Sequence, residues 1–137
     1  MAEITMIEAI NLALTRAMAD DARVLLLGED IGVDGGVFRA TQGLLERFGT
    51  ARVHDTPLAE AAIAGVAVGL AVQGFRPVAE IQFDGFMLST LDQMASHAAR
   101  LRTRTRGRLS CPMVLRAPVG GGIQCHPWSA SWQRPET

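Results

Sequence analysis

The sequence has no lysine, no tyrosine and only two cysteines, Cys111 and Cys125. Because the cysteines lack metal-ligand spacing, we expect free thiols, which favours a reducing, cytoplasmic location. Glu3 and Glu8 stand where an export signal would carry positive charge, so no signal peptide is predicted. The longest apolar run is interrupted by glycines, so no segment is expected to span a membrane.

An excess of positive charge is also lacking, since 13 basic residues face 14 acidic ones. The basic cluster lies at the end of a predicted helix, where cations are favourable in any case. No aromatic side chain between Phe86 and Trp128 could stack on bases. We therefore expect neither nucleic-acid nor membrane binding from the cluster of five alternating arginines: Arg100, Arg102, Arg104, Arg106 and Arg108.

Motifs for metal or nucleophilic chemistry are missing as well. His54, His97 and His126 are too scattered for ligand spacing, and His97, inside a predicted helix, is expected to be structural. No nucleophile elbow or phosphate-loop signature is present. The triple glycine 120–122 follows a predicted strand without a helix opening after it, so it is only a weak indication of phosphate binding.

What is present is an alternation of strand and helix patterns in a single domain, with 48% hydrophobic residues. This alternation predicts an α/β fold, a parallel sheet with helices on both faces. Strands are predicted at 23–28, 52–55, 78–83 and 112–116. Helices are predicted over about 14 residues from a capping box at 5–8, over 41–48, from Pro57 with Thr56 as N-cap, and over 85–104. The first helix should present Ile7, Ile10, Leu14 and Ala17 on one face, and the last should present Met87, Leu91, Met94, Ala98 and Leu101.

The helix that follows Pro57 carries a lone charge. Glu60 is the only charged residue between Asp55 and Arg76, and its neighbours are small and apolar, so the helix is expected to be buried on most faces. Two interpretations of Glu60 stay open. It could offset the helix dipole in the first turn, or it could be a desolvated functional carboxylate.

The predicted strand ends place several polar side chains on one rim of the sheet. Ligands of parallel α/β sheets bind beyond the carboxyl ends of the strands. Glu29, Asp30, Asp55 and Glu60 fall there, with Phe86 at the start of the next helix. One buried carboxylate and one aromatic face suit a flat nitrogen heterocycle.

Seven spaced motifs, in this order, resemble the β subunit of the thiamine-diphosphate-dependent 2-oxo acid dehydrogenases of the pyruvate and branched-chain complexes. The likeness extends from about residue 4 to residue 123 and implies a transketolase-like pyrimidine-binding domain. Two of the motifs, 35–39 and 80–83, are closer to the branched-chain enzymes. The motifs are Gly28-Glu-Asp30, Gly35-Gly-Val-Phe38, Thr41-Gln-Gly-Leu44, Asp55-Thr-Pro-x-x-Glu60, Gly74-x-Arg-Pro77, Glu80-Ile-Gln-Phe83 and Asp92-Gln93.

The resemblance implies roles for individual residues. Glu60 would hydrogen-bond N1′ of the cofactor's aminopyrimidine and favour the tautomer that removes the thiazolium C2 proton. Phe86 would pack against the aminopyrimidine, and Glu29 would be a second acid lining the site. A potassium ion would be bound by backbone carbonyls near Cys111, Met113 and Val114.

The resemblance also implies partners. A separate α subunit would hold the diphosphate and magnesium, in an assembly with a second β subunit and a second α subunit. The product acyl group would pass to a lipoyl group of the acyltransferase core.

The sequence departs from the family after residue 123. The family's catalytic His-Ser-x-Ser-Pro-Glu motif is absent, and His126 does not lie in that motif, so its role is not transferred. We interpret 1–123 as a partial pyrimidine-binding domain and 124–137 as a divergent tail. Alternatives are a non-catalytic truncated remnant that at most pairs with other subunits, a pyruvate or acetoin dehydrogenase β subunit, and a transketolase-like synthase.

Overall fold

A four-stranded parallel sheet forms the centre of the computed structural model, which describes residues 3–119. The strands are β1 (Val24–Gly28), β2 (Val53–Asp55), β3 (Arg76–Glu80) and β4 (Val114–Arg116), in the order β2-β1-β3-β4. The predicted parallel α/β fold is confirmed. The expectations for residues 120–122, the boundary after 123, Cys125 and His126 lie outside the described residues.

Helices cover both faces of the sheet. They are α1 (Met6–Asp20), α2 (Leu44–Phe48), α3 (Glu60–Val72) and α4 (Ala99–Arg104), with a 3₁₀-helix at Asp84–Thr90 and a π-helix at Gln93–Ala98. All five residues of β1 are buried, and successive side chains alternate between the two faces. Val24 and Leu26 join the core under α1 and α2, whereas Leu25 and Leu27 join the core under α3.

Helix α1 begins as predicted, but its buried face differs from the prediction. The Thr5 side chain accepts the Glu8 N–H, and the Glu8 side chain accepts the Thr5 N–H, which confirms the capping box. Leu14 is buried and Ile10 packs against the core, as predicted, but Met18 is buried in place of Ala17, which is exposed. Met18 has the longer side chain and fills the space over β1, so the helix is rotated toward it.

The prediction that α3 starts at Pro57 with Thr56 as N-cap is wrong. The Thr56 N–H donates to the Gly28 carbonyl at 3.0 Å, so the backbone is still extended beside β1 at this position. The helix begins at Glu60, and Ala59 precedes it without a side-chain cap. Burial on most faces is also wrong: one face is buried, but Val66 on the opposite face is 54% exposed.

Strand β3 runs from residue 76 to residue 80 instead of 78–83. Pro77 lies inside it, beside Leu25 of β1, where proline is normally excluded from a central strand. Pairing with β4 begins only at Val78, so no ladder partner on that side requires an N–H from Pro77. The residues 81–83 therefore lie beyond the strand, at the carboxyl edge.

The helix predicted over 85–104 is three helical segments with different pitch. A 3₁₀-helix has about 3.0 residues per turn and an α-helix about 3.6, so a face read at constant spacing shifts across the junctions. Four residues of the predicted face are nevertheless half-buried: Met87, Met94, Ala98 and Leu101. Leu91, expected on the packed face, is 59% exposed. Within the described range, no helix is long and apolar enough to cross a membrane.

Candidate active site

The last residues of the four strands lie side by side at the carboxyl edge of the sheet. Gly28 is the partner of Asp55 on one side and of Glu80 on the other, and Glu80 is the partner of Arg116. Partners in a parallel pair point their side chains to the same face, and Val53 and Val78 place this face under α1 and α2. Three strand-end side chains, from Asp55, Glu80 and Arg116, therefore share the α1 side of the sheet.

A glycine-rich loop, residues 29–43, lies over this row and engages Asp55. The Asp55 carboxylate accepts the Gly32 N–H at 2.6 Å and the Val33 N–H at 3.2 Å. A methyl group at Gly32 would lie 2.8 Å from that carboxylate, so the loop approaches too closely for a side chain there. Asp55 thus holds the loop and is not free for chemistry.

Asp30 also contributes to the structure of the loop. Its φ of 55° lies in the left-handed region, and its carbonyl accepts the Gly36 N–H at 2.8 Å. Its carboxylate accepts a hydrogen bond from Gln82 Nε2 at 3.3 Å, which joins the loop to the end of β3. The other two predicted rim acids make no such hydrogen bond within residues 3–119.

These two, Glu29 and Glu60, lie close together at the carboxyl edge. Glu29 directly follows the last residue of β1, and the charge of Glu60, the first residue of α3, acts on it. Burial raises the pKa of Glu29, and the charges of Asp30 and Glu60 raise it further. Glu60 opens α3, where the positive end of the helix dipole favours a carboxylate. Two half-buried carboxylates that repel one another favour a ligand that brings a proton or a hydrogen-bond donor between them.

Three phenylalanines connect the loop to the 3₁₀-helix. Phe83 meets Phe38 edge to face at 6.1 Å between ring centroids and meets Phe86 in the same way at 5.9 Å. Phe86 is 44% exposed, so part of its ring is available to a ligand. The 3₁₀-helix that carries Phe86 packs against α3, the helix that begins at Glu60. An acid pair and an aromatic surface fit an aminopyrimidine.

The residues predicted to supply potassium ligands lie elsewhere. Cys111 and Met113 precede β4, and Val114 is its first residue. Since β4 is parallel to the other strands, its start lies at the opposite edge from Glu29. The Cys111 carbonyl accepts the Met113 N–H at 3.0 Å, and burial raises the pKa of the Cys111 thiol. Residues 3–119 contain no cluster of His, Cys, Asp or Glu that could hold a metal ion.

The sequence interpretation missed the buried pair of Glu80 and Arg116. Arg116 Nη1 donates to Glu80 Oε2, and Glu80 is only 5% exposed. The available signal was an acid and an arginine at the ends of neighbouring strands. It was hidden because the predicted range 78–83 placed Glu80 inside β3 instead of at its end.

A cavity of about 500 Å³ lies away from this edge. It is a surface groove beside α1, and its lining includes Ile7, Leu12, Arg39 and Gln42. Asn11 fixes its floor by donating to the Ala40 and Gln42 carbonyls, both at 3.0 Å. The acid pair at the carboxyl edge lies outside this groove.

At the carboxyl edge of the parallel sheet, the acid pair offers hydrogen-bond acceptors and the exposed ring offers a flat apolar surface. Residues 2–130 match the transketolase pyrimidine-binding domain, and the chain belongs to this family.

Relatives that resemble the chain include β subunits of dehydrogenases. The chain is 59% identical over 120 residues to 3-methyl-2-oxobutanoate dehydrogenase subunit beta of Mycobacterium tuberculosis (strain ATCC 25618 / H37Rv), covering 88% of this chain and 34% of that protein. It is 54% identical over 124 residues to pyruvate dehydrogenase E1 component subunit beta of Acholeplasma laidlawii, covering 90% and 38%. It is 54% identical over 123 residues to 2-oxoisovalerate dehydrogenase subunit beta of Bacillus subtilis (strain 168), also covering 90% and 38%. The chain therefore spans little more than a third of the length of these relatives.

Proposed function

We propose that the chain is the pyrimidine-binding part of a thiamine-diphosphate-dependent 2-oxo acid dehydrogenase β subunit. The reaction is oxidative decarboxylation of a 2-oxo acid with acyl transfer to a lipoyl group. One observation carries this proposal. Among the described residues, Glu29 and Glu60 lie near one another at the carboxyl edge without holding the glycine-rich loop, in a chain of the pyrimidine-binding family. The names of the relatives agree with it.

The residues of the chain would act as follows. Thiamine diphosphate supplies the electron sink for decarboxylation when bound. Glu60 accepts a hydrogen bond from N1′ of the aminopyrimidine and so holds a proton at that atom. Burial and the charges of Asp30 and Glu60 raise the pKa of Glu29, so this carboxylate takes up a proton more readily than a free glutamate does and can lower the charge of the pair. Phe86 packs against the ring and orients it.

The partner that completes the site is an α subunit, which would hold the diphosphate and magnesium. An exposed apolar surface beside the site supports a subunit contact. This surface consists of Leu58 on the connection before α3, Val66 on α3, and Phe86, Leu88 and Leu91 on or just after the 3₁₀-helix. A second β subunit, a lipoyl acyltransferase core and a potassium ion near Cys111, Met113 and Val114 belong to the same proposal.

A branched-chain 2-oxo acid is the proposed substrate. The motifs 35–39 and 80–83 favour it, as does the 59% identity to a 3-methyl-2-oxobutanoate dehydrogenase subunit, and a 2-oxoisovalerate dehydrogenase subunit is 54% identical. Pyruvate is the second candidate because a pyruvate dehydrogenase β subunit is equally 54% identical. Turnover of both acids by the assembled enzyme would decide between them.

The replacement Glu60→Gln tests the proposal. The 137-residue chain is co-expressed with a dehydrogenase α subunit, and C2 proton exchange of bound thiamine diphosphate is followed by NMR. We expect exchange to slow by a factor of about 10² to 10⁴, because the proton relay through N1′ is lost. Glu46→Gln, on the exposed part of α2, is the control and should exchange like the wild type.

Normal exchange in Glu60→Gln would exclude Glu60 as the activating carboxylate. Failure of the wild-type chain to retain thiamine diphosphate would instead favour a non-catalytic remnant. The two results are separate because cofactor retention is measured before exchange begins.

A further inference from the structure

The ion pair between Glu80 and Arg116 has no role in the function proposed above. Its side chains are 6% and 19% exposed, and they leave the ends of β3 and β4 on the α1 side of the sheet. The pair therefore leaves the strand ends on the other side from Glu60, the first residue of α3.

Glu80 also faces the glycine-rich loop. A methyl group at Gly36 would lie 3.3 Å from Glu80 Oε1, and one at Gly28 would lie 2.8 Å from the Glu80 carbonyl oxygen. The Gly36 N–H in turn binds the Asp30 carbonyl. The Glu80 carboxylate thus lies between the Arg116 side chain of β4 and the loop that begins at Glu29.

The pair is poorly suited to a purely stabilising role. Burial raises the pKa of Glu80 more strongly than Arg116 lowers it, so desolvation of the carboxylate outweighs the attraction. Buried ion pairs can often be replaced by apolar residues of similar volume without loss of stability. What such a replacement loses is the fixed direction of a charge-assisted hydrogen bond.

We propose that Glu80 and Arg116 are positioning residues for the site: they fix the loop and β4 relative to β3, and so keep Glu29 at its place beside Glu60. Their effect on cofactor binding rests on the proposed function. Their effect on the position of Glu29 is a property of this chain alone.

A titration of Glu29 in the 137-residue chain tests the positioning. In E80M/R116M both charges are replaced by apolar side chains, and we expect a melting temperature close to that of the wild type. We also expect the pKa of Glu29, followed by carbon NMR, to fall toward its ordinary value of 4.5 as the loop moves away. Leu14→Ala, which opens a cavity in the core under α1, should lower the melting temperature and leave the Glu29 titration unchanged.

An unchanged Glu29 titration in E80M/R116M overturns the proposal. If that variant does not fold, Glu80→Gln, which keeps the shape and removes the charge, is judged by the same titration against the same control. In the assembly with an α subunit, E80M/R116M should also bind thiamine diphosphate about tenfold more weakly. Wild-type affinity in that variant, together with a shifted Glu29 titration, would overturn the link to the cofactor. Absence of binding by the wild type would reject the proposed function and leave the titration to judge the positioning.

Discussion

Single residues at the carboxyl edge fall into two groups. Asp55 and Asp30 hold the glycine-rich loop, while Glu29 lies near Glu60, the first residue of α3. The sequence predicted that all four acids lie on one rim, because parallel strands end together. It could not predict the division, since the face of each acid depends on where β1 and β2 end to within one residue.

Glu29 gives a prediction for pH dependence. Folding raises its pKa above 4.5, so the folded chain binds this proton more tightly than the unfolded chain. The resulting stability is complete below pH 4.5 and is lost as the pH rises through the folded pKa. Glu29→Gln, which resembles the protonated form, should be more stable than the wild type at neutral pH and no more stable below pH 4.5.

Urea unfolding at a series of pH values measures this difference. Glu3→Gln changes an exposed acid near the N-terminus, and its difference in stability from the wild type should not vary with pH in this way. A Glu29→Gln variant less stable than the wild type at neutral pH would contradict the prediction.

Arg52 gives a prediction for stability. Its guanidinium donates to the carbonyls of Met18, Asp21 and Val24, at 3.1, 3.0 and 2.6 Å. It thereby gives the carbonyls at the end of α1 a hydrogen-bond donor and links that end of the helix to β1. Arg52→Met should lower the free energy of unfolding by about 1–3 kcal/mol, because these carbonyls lose a charged donor.

Arg47→Met is the matched control for Arg52. Both guanidinium groups lie over the Phe48 ring, at 5.3 Å for Arg47 and 6.0 Å for Arg52. Only Arg52 reaches the end of α1, so Arg47→Met should cost no more than about 0.5 kcal/mol. Equal losses for the two variants in chemical denaturation would assign the effect of Arg52 to the ring instead.

Among the elements, those with short-range signals were predicted best. The capping box located the start of α1, and an apolar run ending in glycine located β1. The start of α3 was predicted wrongly because Thr56 and Pro57 carry an N-terminal helix signal, but the Thr56 N–H bonds to the Gly28 carbonyl and holds Thr56 beside β1. The 3₁₀- and π-helices have no periodicity that an α-helical pattern can detect, and they depend on packing against α3.

Two glycines with opposite surroundings test the description of the loop and of α3. Gly32 lies outside the left-handed region, and a methyl group there would meet the Asp55 carboxylate at 2.8 Å. Gly32→Ala should therefore destabilise the chain by about 1–3 kcal/mol through crowding. Gly69, inside α3, has no atom within 4 Å of an added methyl group, so Gly69→Ala should stabilise the helix by about 0.5–1 kcal/mol.

Thermal unfolding of both variants provides the comparison. A stabilising Gly32→Ala would show that the loop does not lie against Asp55. A destabilising Gly69→Ala would show that this face of α3 is closed to a methyl group.

For the whole molecule, the exposed apolar surface beside the site gives the last prediction. Val66 and Leu88 are 54% and 77% exposed and touch no core. The double variant Val66→Arg/Leu88→Arg should keep the melting temperature of the isolated chain and lose at least about tenfold in affinity for an α subunit. Leu12→Arg, on α1 at the other face of the sheet, is 57% exposed and should bind the α subunit normally.

Co-purification with a titrated amount of the α subunit measures this affinity. Equal binding by the double variant and the wild type would place the subunit contact elsewhere.

Fold class at this scale was predictable from the order of strands and helices alone, whereas the position of the apolar surface required the packing of α3 on the 3₁₀-helix.

The alternation of side chains along β1 has a consequence for insertions and deletions. One residue inserted between Leu26 and Gly28 would turn Glu29 to the opposite side of the strand and exchange its surroundings with those of the next residue. Two inserted residues would return Glu29 to its own side, displaced along the strand by about 7 Å. Insertions and deletions at this edge should therefore be tolerated only in steps of two residues. The same two-residue alternation restricts any graft of the loop onto another parallel sheet.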